Sequence, residues 1–446
     1  MKASELPAVM IMWHAFCLLK RIMLISATPP PSTGDNVWVL VSTALVLMMC
    51  IPGLFLFYGG LVRSKNVLSI AAQCLALTAM GVLMWWGFGY SLVFGKSYAG
   101  SLVGHIFGGG EHFGFAGLGF TPDAAYAPGI SSGTFALFQA MFAAITPALI
   151  IGAVAERMKF SAVMLFSFLW TIFVYYPVAH AVWGATGHFS GIANADAAFK
   201  AADFAGGIVV HMTSGWSALL LCILVGPRAG FGKRPMPPHS MVLCVIGTGL
   251  LWAGWYGFNA GSALAADGIA LQAFMTTTLG AATATLAWAV VEKLHRGKIS
   301  VLGLCSGAIA GLATVTPASG VVGPAGAILL GLISGLACYF ACGWVKEKLK
   351  IDDSLDVFAV HGLGGIIGTV LLAVFGTASF GGFGKFETGP QLLLQLKAVG
   401  VTVLWSAVAT YVIARCLKAF GGLRVSPENE ETGLDASSHG EKAYHI

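Results

Sequence analysis

Eleven apolar runs of about 20 residues each constrain the fold of this chain more than any other feature, because that length crosses a bilayer as a helix. Hydrophobic residues make up 57% of the chain and charged residues 10%, whereas soluble domains carry roughly 25% charged residues. We therefore predict an all-α polytopic membrane protein and exclude a soluble one. The predicted spans are residues 36–58, 67–94, 132–154, 161–184, 206–226, 240–263, 271–291, 301–316, 325–345, 357–378 and 391–416. The eighth is short and glycine-rich, which favours close helix packing.

The distribution of Lys and Arg predicts the orientation of these spans. Seventeen such residues lie in the loops after spans 1, 3, 5, 7 and 9 or at the C-terminal end from Arg415 onward, whereas the alternate loops hold Lys96, Lys200 and Lys385. Lys397 lies near the start of the last span. Positively charged loops stay on the cytoplasmic side. We expect a plasma (inner) membrane protein whose N-terminus is outside and whose C-terminus is cytoplasmic. The net charge of +5 gives no reason to expect a nucleic-acid partner.

Residues 1–35 precede the first span and form a separate N-terminal segment. An apolar run at 8–19 is followed by Lys20, Arg21 and three prolines at 29–31. Such a run is typical of a signal peptide, although the charges stand on the wrong side of it. Two interpretations stay open: a cleaved signal peptide, or a non-native extension with Met23 as the true start.

Two histidines lie alone in apolar spans, and each follows an aspartate by eight residues. Asp203 precedes His211 in span 5, and Asp353 precedes His361 in span 10. Eight helical residues correspond to about 12 Å, so each histidine is expected near mid-membrane. Because five spans per half is an odd number, the halves must run in opposite senses. The spacing therefore predicts two inverted five-helix repeats plus a final helix, an organisation typical of transporters.

Other interpretations of these side chains stay open from the residues alone. Packing roles for the histidines stay open, and so does axial ligation of a haem, for which His180 and His188 are available. Nine cysteines form no metal-binding spacing and are typical of buried small residues. We predict no metal, no cofactor and no enzymatic activity.

Several motifs resemble those of the Amt/MEP/Rh ammonium transporters. They are DFAGGIVVH at 203–211, IPGLFLFYGG at 51–60, GAVAER at 152–157, WYGFNAGS at 255–262, SGAIAG at 306–311 and GLDASSHGEKAY at 433–444. Trp183 and Ser262 make the chain more similar to the bacterial Amt branch than to the Rh branch. The resemblance implies a membrane domain at 36–418 and an ordered cytosolic tail at 419–446 that packs under neighbouring subunits. It also implies a homotrimer with one pore per subunit and docking of a PII-type signalling protein.

The resemblance further implies roles for individual residues. Trp183, Phe142 and Ser262 would form an external site that recruits ammonium, and Phe142 with Phe258 would block the path below it. His211 and His361 would share a hydrogen bond in a narrow pore. Asp203 matches a family aspartate near the external site; we expect it mainly to cap the start of span 5 and to stabilise the bound cation at long range. From its position one turn before Phe142, Gln139 would offer a polar group there. The ordinary alternative for Trp183 is an interfacial role. We also expect Asp356 to cap span 10. Ser354 and Leu355 depart from the Pro-Cys that the family often has, which leaves the inner vestibule least defined.

The predicted function is ammonium transport in nitrogen metabolism. Ammonium would lose its proton near the histidine pair, and neutral ammonia would cross the apolar pore, because an ion at the bilayer centre is costly. The hypothesis that the proton follows through the histidines would make transport electrogenic. Two rivals are an ammonium sensor that signals through its tail and a membrane redox enzyme that uses haem.

Overall fold

The computed structural model describes residues 30–191 and 193–444. Within them, eleven helices are long and apolar enough to cross a membrane. The prediction of an all-α protein with eleven spans is confirmed. The helices are α1 (Thr33–Leu61), α2 (Ser64–Phe94), α3 (Ser132–Val154), α4 (Phe160–Trp183), α5 (Gly207–Val225), α6 (Met241–Ala263), α7 (Gly268–Arg296), α8 (Val301–Ala318), α9 (Pro324–Lys348), α10 (Phe358–Phe375) and α11 (Thr388–Phe420). Residues 1–29 of the predicted N-terminal segment (1–35) lie outside the described residues, and α1 begins at Thr33, within that segment.

Polar caps define where several helices begin. The Ser131 hydroxyl accepts a hydrogen bond from the Thr134 N–H at the start of α3. Ser300 does the same for α8, and the Asp267 carboxylate accepts two N–H groups at the start of α7. These side chains satisfy backbone donors that a helix leaves unpaired at its first turn.

Small residues allow the helices of the second half to approach closely. A Cβ added at Gly311 of α8 or at Gly331 of α9 would lie 2.5 Å from the carbonyl oxygen of Gly280 in α7. Side chains at either position would force α7 away from its neighbours. The prediction that α8 packs through its glycines is therefore confirmed.

The two halves meet where α5 crosses α10. Each helix begins with a π-helical stretch that contains its histidine, at Gly207–Met212 and at Phe358–Leu363. Four residues after each histidine a glycine faces the other helix. A Cβ on Gly215 would lie 2.2 Å from the Gly362 nitrogen, and one on Gly365 would lie 3.1 Å from the His211 Cβ. The matching contacts support the inverted repeat.

The loops rich in Lys and Arg gather at one end of the helix bundle, here called the basic end. Arg228 pairs with Glu156 at 3.1 Å and with Asp352 at 2.8 Å, and Arg63 pairs with Glu156 at 2.9 Å. Burial alone would raise the pKa of the Glu156 carboxyl, but Arg228 and Arg63 outweigh it and hold the pKa below its usual value. The pKa of Asp352 is lowered in the same way, because Arg228 outweighs burial. This network joins the loops after α1, α3, α5 and α9.

The C-terminal segment folds back on the basic end of its own chain. It contains a short helix, α12 (Pro427–Thr432). The Asp435 carboxylate accepts the Ser69 N–H at 2.8 Å, and the Leu434 N–H donates to the Asn66 side chain at 2.9 Å. Packing under neighbouring subunits stays a prediction.

Candidate functional site

Three cavities lie in sequence through the bundle, and the first is aromatic. This aromatic cavity opens toward the end opposite the basic end and has a volume of about 90 Å³. Trp183 at the end of α4, Phe142 in α3 and Ser262 at the end of α6 all line it. Gln139, one turn before Phe142, lines it as well. The structure thus brings together four of the residues predicted for an external site, whereas Asp203 does not line the cavity.

The polar groups of the aromatic cavity retain free acceptor capacity. The Ser262 hydroxyl donates to the Phe258 carbonyl at 2.8 Å, so its oxygen lone pairs are left to accept a hydrogen bond. The Gln139 Oε1 atom is buried and has no hydrogen-bond partner among the described residues. The Trp183 indole N–H donates to the Asp203 carbonyl at 3.0 Å, which fixes the ring. The cavity therefore offers oxygen acceptors beside an anchored indole, a combination suited to a small N–H cation.

Two phenylalanine rings separate this cavity from the next. The ring centroids of Phe142 and Phe258 are 4.4 Å apart, and both side chains are 1% exposed. Phe142 lines the aromatic cavity, whereas Phe258 lines the cavity beyond it. A hydrated ion cannot pass while both rings keep these positions.

The second cavity, here called the histidine cavity, holds the two intramembrane histidines. The Nδ1 atoms of His211 and His361 are 3.1 Å apart, and the rings stack with centroids 5.1 Å apart. Both side chains are buried. The cavity measures about 20 Å³ and is otherwise lined mainly by apolar side chains. One histidine must donate to the other, so the two rings hold complementary tautomers. The Nε2 atom of His211 has no partner within the described part of the chain.

The direct contact between the histidines excludes haem ligation between the two helices. Axial ligands on opposite faces of a macrocycle cannot be 3.1 Å apart. His180 and His188 also lie elsewhere: His180 hydrogen-bonds the Val93 carbonyl at 2.8 Å, and His188 contacts His105. In residues 30–191 and 193–444, no cluster of three or more His, Cys, Asp or Glu side chains is arranged to hold a metal ion.

Buried aspartates fix the backbone at the start of both histidine helices. The Asp203 carboxylate accepts four backbone N–H groups, from Gly206 to Val209, at 2.6 to 3.1 Å. The Asp353 carboxylate accepts the Val357 and Phe358 N–H groups at 3.1 and 2.8 Å. Asp203 is thus a capping residue that lies behind the aromatic cavity rather than in its wall.

The expectation that Asp356 caps α10 is wrong. Its carboxylate forms an ion pair with Lys346 at 2.7 Å, and Asp353 takes the capping role. Asp353 lies four and five residues before the two residues whose N–H groups it accepts. Asp356 has a left-handed backbone, with φ +61°, and its side chain is directed away from those N–H groups. Burial and the neighbouring Asp356 carboxylate raise the pKa of Asp353 to about 6.

The third cavity, here called the basic-end cavity, has a volume of about 300 Å³. His361 lines both this cavity and the histidine cavity, as do Phe57, Tyr58 and Ile309. Its wall also carries Arg228, Lys346 and Asp356. The His361 ring therefore stands between the narrow apolar passage and a wide polar opening.

Some site residues were not predicted from the sequence. Trp255 stacks on His211 with ring centroids 5.6 Å apart, and its indole N–H donates to the Thr316 hydroxyl at 2.8 Å. Its spacing of three residues from Phe258, one helical turn, was a usable signal. The aromatic cavity also contains Tyr126 and Phe204, which stand in loops where sequence periodicity gives no guidance.

Comparisons with known proteins agree with this architecture. The model of the Ammonium Transporter Family matches residues 37–444. The chain is 45% identical to an ammonium transporter of Aquifex aeolicus over 416 residues, 93% of this chain and 94% of that one. It is 43% identical to a putative ammonium transporter of Methanothermobacter thermautotrophicus, over 93% and 99% of the two chains. Among solved structures, it superposes on one named Sensor Amt Protein with TM-score 0.82 and 31% identity, covering 91% and 98% of the chains. It superposes on Saccharomyces cerevisiae Mep2 with TM-score 0.78 and 33% identity, covering 90% of this chain and 91% of that one.

Proposed function

The chain belongs to the ammonium transporter family, and we propose that it recruits ammonium at the aromatic cavity and conducts ammonia past the histidine pair. The observation that carries this proposal is the order of the three cavities, with His211 and His361 in contact at the narrowest one. The proposal covers the roles of the site residues, the direction of transport and the coupling of transport to a proton.

Recruitment relies on the chemistry of the aromatic cavity. Ammonium above the Trp183 indole gains about 0.5–2 kcal/mol from the cation–π interaction. The Ser262 hydroxyl oxygen and the Gln139 carbonyl supply acceptors for its N–H groups. Potassium has the same charge but no N–H donors. These oxygens therefore distinguish ammonium from potassium only when the ion has lost its hydration shell.

Loss of the proton follows from the energetics of the apolar passage. An ion at the bilayer centre costs at least about 2.5 kcal/mol, whereas neutral ammonia avoids that charge penalty. The Phe142–Phe258 pair and the small volume of the histidine cavity leave no space for a hydration shell. Ammonium therefore gives up its proton before it crosses the passage, and the His211 ring, which stacks on Phe258 and whose Nε2 atom has no partner among the described residues, accepts it.

The histidine pair provides a route for that proton. Because His211 and His361 are joined by a hydrogen bond, one ring accepts a proton as the other releases one, and no free ion crosses. His361 reaches the basic-end cavity, where water receives the proton. Transport of one ammonia and one proton per cycle would carry one net charge.

The cellular setting is also part of the proposal. The excess of Lys and Arg in the basic-end loops supports a cytoplasmic location for that end and an external aromatic cavity, in an inner membrane. We propose a homotrimer and a PII-type partner on the cytoplasmic face, by analogy with the family. A sensor role is the second candidate, because one similar structure is named Sensor Amt Protein. A measurement of ammonium flux distinguishes the two roles, because a transporter requires that flux and a sensor does not.

The test is the current evoked by ammonium in proteoliposomes, recorded together with internal pH. We expect a current in the wild-type protein and a higher half-saturating ammonium concentration in Trp183→Leu. An alkaline internal shift without current would indicate passive ammonia conduction. If ammonium evokes no current and no pH shift, transport is refuted and the sensor role is favoured.

A further inference from the structure

The basic-end cavity contains an ion pair whose cation has the same chemistry as the substrate. The Lys346 Nζ atom lies 2.7 Å from the Asp356 Oδ2 atom and also donates to the Ser354 carbonyl at 3.3 Å. Both side chains are 28% exposed, so the pair faces the cavity and is neither buried in the wall nor free in solvent. A lysine ammonium is a compact N–H donor, as ammonium itself is.

Asp356 is the single carboxylate among the described residues that line this cavity. The other charged lining residues are Arg228, Arg234 and Lys346. Arg228 is already neutralised by Glu156 and Asp352. A cation in this cavity therefore meets one carboxylate, and the one cation that pairs with it in the described chain is Lys346.

The backbone holds that carboxylate in an unusual conformation. Asp356 has φ +61°, a value that residues with a side chain rarely adopt. Its N–H donates to the Asp353 carbonyl at 3.4 Å, and its own carbonyl accepts the Val360 N–H at 3.1 Å. Strained residues that persist in this way cluster at functional sites. Here the strain directs a carboxylate into the cavity, five residues before His361.

Ammonia that leaves the histidine cavity regains a proton in the water of the basic-end cavity. The ammonium so formed is a ligand for any free carboxylate there, and a retained product slows the next cycle. A tethered lysine competes with the product at high effective concentration. Resting on the proposed function, we propose that Lys346 is a built-in substrate mimic that keeps Asp356 occupied, so that ammonium is released and not retained.

The experiment measures how ammonium on the basic-end side inhibits inward flux. Proteoliposomes are sorted for the orientation that places the basic end in the lumen, and initial uptake is recorded at increasing luminal ammonium. Three variants are compared with the wild-type protein. Lys346→Met removes the tethered cation, Lys346→Arg keeps one, and the double variant Lys346→Met with Asp356→Asn removes the whole pair.

We expect Lys346→Met to be half-inhibited at about fivefold lower luminal ammonium than the wild-type protein, a modest change typical of a partly exposed ion pair. Lys346→Arg should match the wild-type protein, and the double variant should lose the extra inhibition. If Lys346→Met does not fold, Lys346→Gln takes its place with the same expectation.

Two results would overturn the inference: wild-type inhibition in Lys346→Met, or extra inhibition that persists in the double variant. Both leave the proposed function intact, because the wild-type protein still transports. Absence of flux in the wild-type protein would instead refute the proposed function, and this inference with it.

Discussion

The crossing of α5 and α10 predicts a large effect for one added methyl group. In Gly215→Ala the new Cβ would lie 2.2 Å from the Gly362 nitrogen and 2.4 Å from the Gly362 Cα. Both are backbone atoms, so no side chain can rotate away. Ordinary contacts at Cβ begin at 3.4 Å, so the helices must separate by about 1.2 Å at this point.

That separation acts directly on the histidine pair, one turn away. The Nδ1 atoms, now 3.1 Å apart, would move to about 4 Å, beyond hydrogen-bond range. Overpacking of this kind typically lowers the free energy of unfolding by about 1–3 kcal/mol. We expect Gly215→Ala to unfold at lower temperature in detergent and to lose most ammonium-evoked current.

Two matched variants isolate the cause. Gly249→Ala adds the same methyl group to α6 at a position with no atom within 4 Å, and it should behave as the wild-type protein. Gly365→Ala meets the Gly207 carbonyl at 2.9 Å, so the required shift is about 0.5 Å and the loss should be smaller. If Gly215→Ala keeps wild-type melting temperature and current, the close crossing is not what joins the histidines.

Three further predictions concern the external site, the ring pair and the basic end. Trp183→Leu should raise the half-saturating ammonium concentration by about 2- to 30-fold, the equivalent of the cation–π energy; an unchanged value in current recordings would contradict the recruitment role. Phe258→Ala should join the aromatic and histidine cavities and let potassium compete. Addition of potassium chloride should therefore reduce the ammonium current of this variant more than that of the wild-type protein; equal inhibition would contradict the barrier role. Because the pKa values of Glu156 and Asp352 lie below their usual 4.5 and 3.8, the stabilisation by Arg228 is fully present above pH about 4.5 and is lost progressively as the pH falls from there through the lowered pKa values. Arg228→Gln should therefore unfold at a lower temperature than the wild-type protein at pH 7, and its melting temperature should fall less between pH 7 and pH 3.5. Thermal unfolding measures both, and a fall in melting temperature as steep as that of the wild-type protein would contradict the ion-pair account.

The spans were predictable because each needs only a long apolar run, and their ends are marked by charge or by capping residues. Span 5, for example, was predicted at 206–226 and is observed at Gly207–Val225. The histidine pair was predictable because a repeated Asp-to-His spacing of eight appears in both halves. Such patterns are local, and local patterns are what a sequence displays directly.

Partners of polar side chains at helix ends were harder to predict. Asp353 and Asp356 both precede α10, and composition does not tell which of them caps it. The outcome depends on the left-handed backbone of Asp356 and on Lys346, which lies ten residues earlier at the end of α9. Docking of the tail through Asp435 on the Ser69 N–H joins residues 366 positions apart. Contacts of that range follow from the packing of the whole bundle.

The central claim is that ammonium gives up its proton to the histidine pair and that this pair carries the proton onward. The most direct measurement is ammonium-evoked current, with potassium as the competing cation, for the wild-type protein and for the double variant His211→Ala with His361→Ala. The account predicts an ammonium-selective current in the wild-type protein and, in the double variant, either no current or one that potassium also carries. Wild-type ammonium current and selectivity in the double variant would contradict it.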